Sequence, residues 1–187
     1  MPKDNIERAI KKGTGDLDGV QYTDVLYEGY GPGGVALMIQ ALTDNPTRTV
    51  AEIRHKLSRG GGNLGAAHSV AWMFERKGQI YIDAAAYDED AALEAALEAG
   101  ADDVQREDDR FVVTTDSISV ATVRAALEGR GIVATESEVA WIPKTTVRVE
   151  GKTAEQLVKL LEELEDLDDV QKVDANFDMD VADMARA

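Results

Sequence analysis

QIYIDAAAYDEDAALEAALEAGADDVQREDDRFVVTT, residues 79–115, sets the fold class. Gln79–Ile82 alternates as a strand does. Asp88 is placed to cap a helix running from Glu89 to Ala99, with Gly100 just past its end. Arg110–Thr115 is rich in β-branched and aromatic residues and predicts a second main strand, preceded by a short one near Val104. Moving outward, Val120, Val123 and Leu127 mark one face of another helix, and Ile132–Ile142 predicts a closing strand. The order βαββαβ is that of a split βαβ, ferredoxin-like unit.

On the N-terminal side, residues 4–12 place Ile6, Ala9 and Ile10 at helical spacing, with Asp4 as cap and Gly13 as stop. Thr23–Tyr27 and Val35–Leu42 predict strands around the turn Glu28–Gly34. Residues 48–58 predict a helix whose buried stripe is Val50, Ile53 and Leu57, with Arg48, Glu52, His55 and Arg59 on the opposite ridge. Gly60-Gly61-Gly62 ends it. On the C-terminal side, Thr145–Val149 is a short strand candidate, and Thr153 with Gln156 forms a capping box. Leu157, Leu160, Leu161 and Leu164 make a helical stripe, Val170–Phe177 predicts a strand, and an acidic tail is expected from Asp178. The fold class is therefore α+β.

Charge narrows the function. The net charge is −16, unevenly spread. Residues 1–80 hold 10 Lys+Arg and 9 Asp+Glu; residues 81–187 hold 10 and 27. Only the first part offers phosphate a favourable field; the second repels a polyanion. The absence of cysteine removes disulfides, thiolate metal sites and Cys nucleophiles. With no apolar run of bilayer length and no leader pattern, a soluble cytoplasmic protein is expected.

Motifs for catalysis or cofactors fail on context. Gly29, Gly31 and Gly34 match GxGxxG, but a strand rather than a long helix follows, so no helix N-terminus is available for a pyrophosphate. Asp174–Asp180 resembles the start of a calcium loop, yet Met179 stands where glycine is needed and Ala185 where glutamate is needed. His55 and His68 do not have zinc-site spacing, and the pairs Asp102-Asp103 and Asp108-Asp109 fall at turns. Catalytic, metal and cofactor sites are expected to be absent.

What remains is cationic. Arg48, Arg54, His55, Lys56 and Arg59, then the glycine turn and Asn63, form a candidate phosphate-binding face; Arg76 and Lys77 add charge nearby in sequence. Tyr27 and Tyr30 are candidates for stacking on a base.

Four runs, MPKDNIERAIKKG, YEGYGPGGVALMIQALTDN, RTVAEIRHKLSRGGGNLG and SVAWMFERKG, resemble the YebC family, over essentially the whole chain. That family includes proteins named probable transcriptional regulators and the mitochondrial translational activator of cytochrome c oxidase subunit I. The resemblance implies a basic helical N-terminal domain, of which residues 1–18 are the remnant here, because Met1-Pro2-Lys3-Asp4 falls inside that domain in relatives. It also implies a discontinuous α+β domain, 19–74 with 145–178, interrupted by the ferredoxin-like unit at 75–144 and followed by a tail at 179–187. Pro46-Thr47 and His68 depart from the family's motifs. The function implied is non-enzymatic regulation of gene expression: a transcriptional regulator binding DNA through the basic face, or a ribosome-associated translation factor contacting rRNA. An acidic protein–protein adaptor is a further alternative.

Overall fold

In the computed structural model, the described residues are 20–184, so the helix expected at 4–12 lies outside them. The chain divides into two compact units. One runs through Phe74 and resumes at Pro143; the other is Glu75–Ile142.

In the first unit, β1 (Thr23–Tyr30) and β2 (Ala36–Thr43) form an antiparallel hairpin, with Thr23 opposite Thr43 and Tyr30 opposite Ala36. The first strand outruns its expected end at Tyr27, because Glu28, Gly29 and Tyr30 pair with Met38, Leu37 and Ala36. Helix α1 (Pro46–Arg59) begins two residues earlier than expected. The Asn45 side chain accepts the Arg48 N–H at 3.1 Å, and Pro46 occupies the first turn, where its missing N–H leaves no bond unmade. Its buried face is Thr49, Ile53 and Leu57, so Thr49 takes the place expected for Val50. A short strand β3 (Asn63–Leu64) then pairs with the free edge of β1.

The second unit runs β4 (Phe74–Asp83), α2 (Glu89–Glu98), β5 (Asp103–Glu107), β6 (Arg110–Asp116), α3 (Val120–Gly129) and β7 (Glu136–Pro143). Its sheet order is β5-β6-β4-β7, and β6 is antiparallel to both neighbours. Ile80, Ile82, Phe111 and Val113 come from alternate strand positions and meet Ala92, Ala95, Ala96, Val123 and Leu127 of the helices. The strand expected from Ile132 starts only at Glu136. The Ile132 N–H instead closes the end of α3 on the Leu127 carbonyl at 3.0 Å, and Ile132 and Ala134 are buried in the core.

The chain returns through β8 (Val147–Arg148), α4 (Gly151–Glu165), β9 (Val170–Ala175), β10 (Phe177–Asp178) and a short α5 (Val181–Met184). The capping box does not form: α4 starts at Gly151, which puts Thr153 inside the helix. β9 runs antiparallel to β2 and completes the sheet β3-β1-β2-β9. Asn176 interrupts the last strand because it serves β2: its side chain accepts the Ala36 N–H at 2.7 Å, and its own N–H donates to the Ala36 carbonyl. The expected acidic tail is packed at its start. β10 pairs with β8, Met179 is buried, and Arg148 binds Asp178 and Asp180. The core joins Val35, Leu37 and Ile39 to Ile53 and Leu57 of α1 and to Ala154, Leu157, Leu160 and Leu164 of α4.

Candidate nucleic-acid interface

Helices α1 and α4 lie side by side on one face of the first sheet and run in opposite directions. Near the end of α1, Arg59 and Gly60 share a groove of about 180 Å³ with Gln156, Lys159, Leu160 and Glu163. Near its start, Arg48 and Glu52 line a hollow of about 370 Å³ with Asp166, Leu167, Asp168 and Asp169. The paired helices therefore present a cationic end and an anionic end.

Arg48 belongs to the anionic end. Its guanidinium lies 2.9 Å from Asp44 and 2.9 Å from Asp169, whose side chain is only 2% exposed. Asp169 also accepts from the hydroxyls of Thr49 at 2.8 Å and Thr43 at 3.3 Å. A carboxylate this buried needs such partners to stay ionised. The hydrogen bond from Arg48 holds the Asp44 carboxyl below the usual carboxylate range. Arg48 thus lies on the ridge that helical spacing gave it, but its guanidinium is bound to its own protein's acids.

Arg54, His55 and Arg59 are exposed along α1 and make no ion pair among the described residues. Lys56 is half-buried, with its amino group 3.9 Å from Glu163. Asn63 is exposed just beyond the glycine turn. Lys159, which the sequence did not nominate, joins Arg59 across the groove. Its position off the leucine stripe marked it as exposed, but no sequence signal placed it beside a helix a hundred residues earlier.

The glycine turn ends the helix, as its composition predicts. The N–H groups of Gly60 and Gly62 donate to the Lys56 and Leu57 carbonyls at 2.9 and 2.8 Å, closing the carboxyl end of α1. A Cβ on Gly62 would lie 2.0 Å from the Tyr30 carbonyl oxygen, and one on Gly60 would lie 2.6 Å from Leu160 Cδ1. These glycines let the chain pass close to β1 and α4. The dipole at this helix end is negative, so an anion here must be held by side chains rather than by backbone amides.

Tyr27 and Tyr30 fall on opposite faces of β1, since their separation is odd. Tyr27 packs against the core beneath the helices; burial raises its phenol pKa, and the Asp169 charge adds to the rise. The two rings cannot share one stacking surface. Arg76 and Lys77 belong to the second unit. Arg76 is exposed; Lys77 lies 3.1 Å from Asp102 and 3.7 Å from both Glu75 and Asp116.

A second feature escaped the sequence. Glu28 is buried on the sheet face away from α1, and its carboxylate accepts the N–H groups of His68, Val70 (3.0 Å) and Ala71 (2.7 Å). Burial pushes its pKa up, but the three backbone bonds outweigh burial and hold it below the ordinary glutamate value. The loop held in this way carries His68 in the left-handed region (φ 67°) and an exposed Trp72 (67%), whose indole N–H donates to the Ser69 carbonyl at 3.0 Å. Among the described residues, no cluster of His, Asp and Glu could hold a metal ion, and no helix is long and apolar enough to cross a membrane.

Fold and surface together define an α+β protein of two units, with Arg59 and Lys159 exposed together where two helices of the first unit meet. Comparison with known proteins specifies it further. The family profile described as the TACO1/YebC second and third domain matches residues 22–177. A "probable transcriptional regulatory protein" of Gemmatimonas aurantiaca is 62% identical over 187 residues, covering 100% of this chain and 76% of the relative. One of Desulforapulum autotrophicum is 52% identical over 96% of this chain and 72% of its own length. The crystal structure of a conserved hypothetical protein from Aquifex aeolicus superposes with a TM-score of 0.83 at 46% identity, over 96% of this chain and 74% of that one. This chain belongs to the TACO1/YebC family.

Proposed function

We propose that this protein is a non-enzymatic regulator of gene expression that meets a nucleic-acid backbone with the cationic end of α1 and α4. The observation that carries this reading is that Arg54 and Arg59 stand exposed along α1, without an ion pair among the described residues, and that Arg59 shares its groove with Lys159, on a molecule of net charge −16. Two guanidinium groups held outward on a rigid helix are suited to bidentate contact with phosphate oxygens. His55 and Asn63 flank them as further contacts. The names of the relatives favour a transcriptional target, and hence duplex DNA.

A second reading, docking on the RNA of the ribosome, is favoured by the small size of the cationic end. Three or four cations cover few phosphates, and the acidic hollow around Asp166–Asp169 lies at the other end of the same helix pair. A target on which RNA lies beside basic protein suits such a surface better than a long bare duplex. Parallel binding to duplex DNA and co-sedimentation with ribosomes tests the two. Saturable duplex binding lost in R54E/R59E supports the first reading. Co-sedimentation lost in the same variant, without duplex binding, supports the second. If neither interaction responds to R54E/R59E, both readings fail.

A further inference from the structure

The outer face of the second unit offers a different kind of surface. Helix α2 buries alanines, Ala92, Ala95 and Ala96, and turns two leucines outward: Leu93 is 40% exposed and Leu97 is 53% exposed. Small residues let the helix sit close on its sheet, but they leave the larger apolar side chains in water. The segment after α3 runs along this helix, because Arg130 Nε reaches Glu98 at 3.1 Å and the Tyr87 hydroxyl accepts the Val133 N–H at 2.9 Å. Val133, 58% exposed, therefore stands on the flank of α2. Asp90 and Glu94 are exposed around the leucines and make no ion pair among the described residues, whereas Glu89 and Glu98 are paired with Arg106 and Arg130. Glu75–Ile142 holds 16 Asp+Glu against 6 Lys+Arg.

We infer that Leu93 and Leu97, rimmed by Asp90 and Glu94, form a docking face for a basic amphipathic helix of a partner protein. Apolar anchors spaced at i and i+4 match the same spacing on an incoming helix. The acidic rim selects lysine and arginine around those anchors and rejects nucleic acid. A second copy of this chain fits poorly, since it brings the same acids to the contact and a net charge of −16. This inference is independent of the nucleic-acid reading, because it uses another unit and the opposite charge.

The test uses the full chain and a synthetic Leu/Lys peptide of about 18 residues ordered as an amphipathic helix, with a scrambled peptide of equal composition as control, measured by calorimetry. The ordered peptide is expected to bind about tenfold more tightly than the scrambled one, and L93S/L97S should abolish that advantage while the melting temperature is unchanged. D90N/E94Q should weaken binding at low salt, and R54E/R59E should bind the peptide as the unaltered chain does. Equal binding of the two peptides, or undiminished binding by L93S/L97S, overturns the inference. So does a self-association of the chain, seen by sedimentation, that L93S/L97S removes.

Discussion

Two arginines on one helix, Arg48 and Arg54, have the same chemistry and opposite tasks. Arg48 neutralises Asp169, which is 121 residues away in sequence and nearly without solvent. Arg48→Ala removes the guanidinium partner of that buried carboxylate. A loss of about 2 kcal/mol in urea unfolding is expected, less than for a fully buried pair because Arg48 is itself 40% exposed. The same variant should bind nucleic acid as the unaltered chain does. Thr49→Val removes the 2.8 Å bond to Asp169 at nearly constant volume and should cost roughly 1–2 kcal/mol in the same measurement. The sequence could not separate these residues. Helical spacing put Arg48 on the outer ridge correctly as an angle, but its partner comes from the loop after α4, and no local pattern marks that contact. The opposite facing of Tyr27 and Tyr30, in contrast, was already present in their odd spacing.

At the scale of elements, periodicity was most reliable where the apolar stripe is long. Leu157, Leu160 and Leu164 of α4 and Ile53 and Leu57 of α1 are buried as their spacing requires. It misled where a tertiary contact replaced it. Ile132, read as the start of a strand, belongs to a connection. The loop from Gly65 to Met73 left no periodic signal, since its order comes from Glu28 on another strand. Because the Glu28 pKa is lower in the folded chain than in the unfolded one, the stability it contributes is present above the unfolded value of about 4.3 and is lost as pH falls through the folded value. In a Trp141→Phe background, Trp72 emission should therefore change on acidification below about pH 4. Glu28→Gln should show the altered emission already at neutral pH, with no acid step. An acid step of unchanged size in Glu28→Gln would contradict this account. Gly62→Ala should also destabilise the first unit, because the new methyl meets the Tyr30 carbonyl oxygen, a backbone atom that cannot rotate away.

Over the whole molecule, charge is sorted rather than merely negative. The second unit carries 16 Asp+Glu against 6 Lys+Arg, while the first brings Arg59 and Lys159 together at one end of a helix pair. The asymmetry between residues 1–80 and 81–187 was legible as counts. What the counts could not give was the partition of the basic residues: Arg48 and Lys77 paired internally, Lys56 drawn toward Glu163, Arg54 and Arg59 left outward, and Lys159 recruited from a distant helix. The most direct measurement of the central claim is the salt dependence of nucleic-acid affinity for the unaltered chain, R54E/R59E and Arg48→Ala. About three phosphate contacts predict a log–log slope near −2.7 on duplex and near −2 on single strands. R54E/R59E should flatten that slope and weaken binding, and Arg48→Ala should leave it unchanged. A flat slope in the unaltered chain, or a loss in Arg48→Ala equal to that in R54E/R59E, would contradict the account.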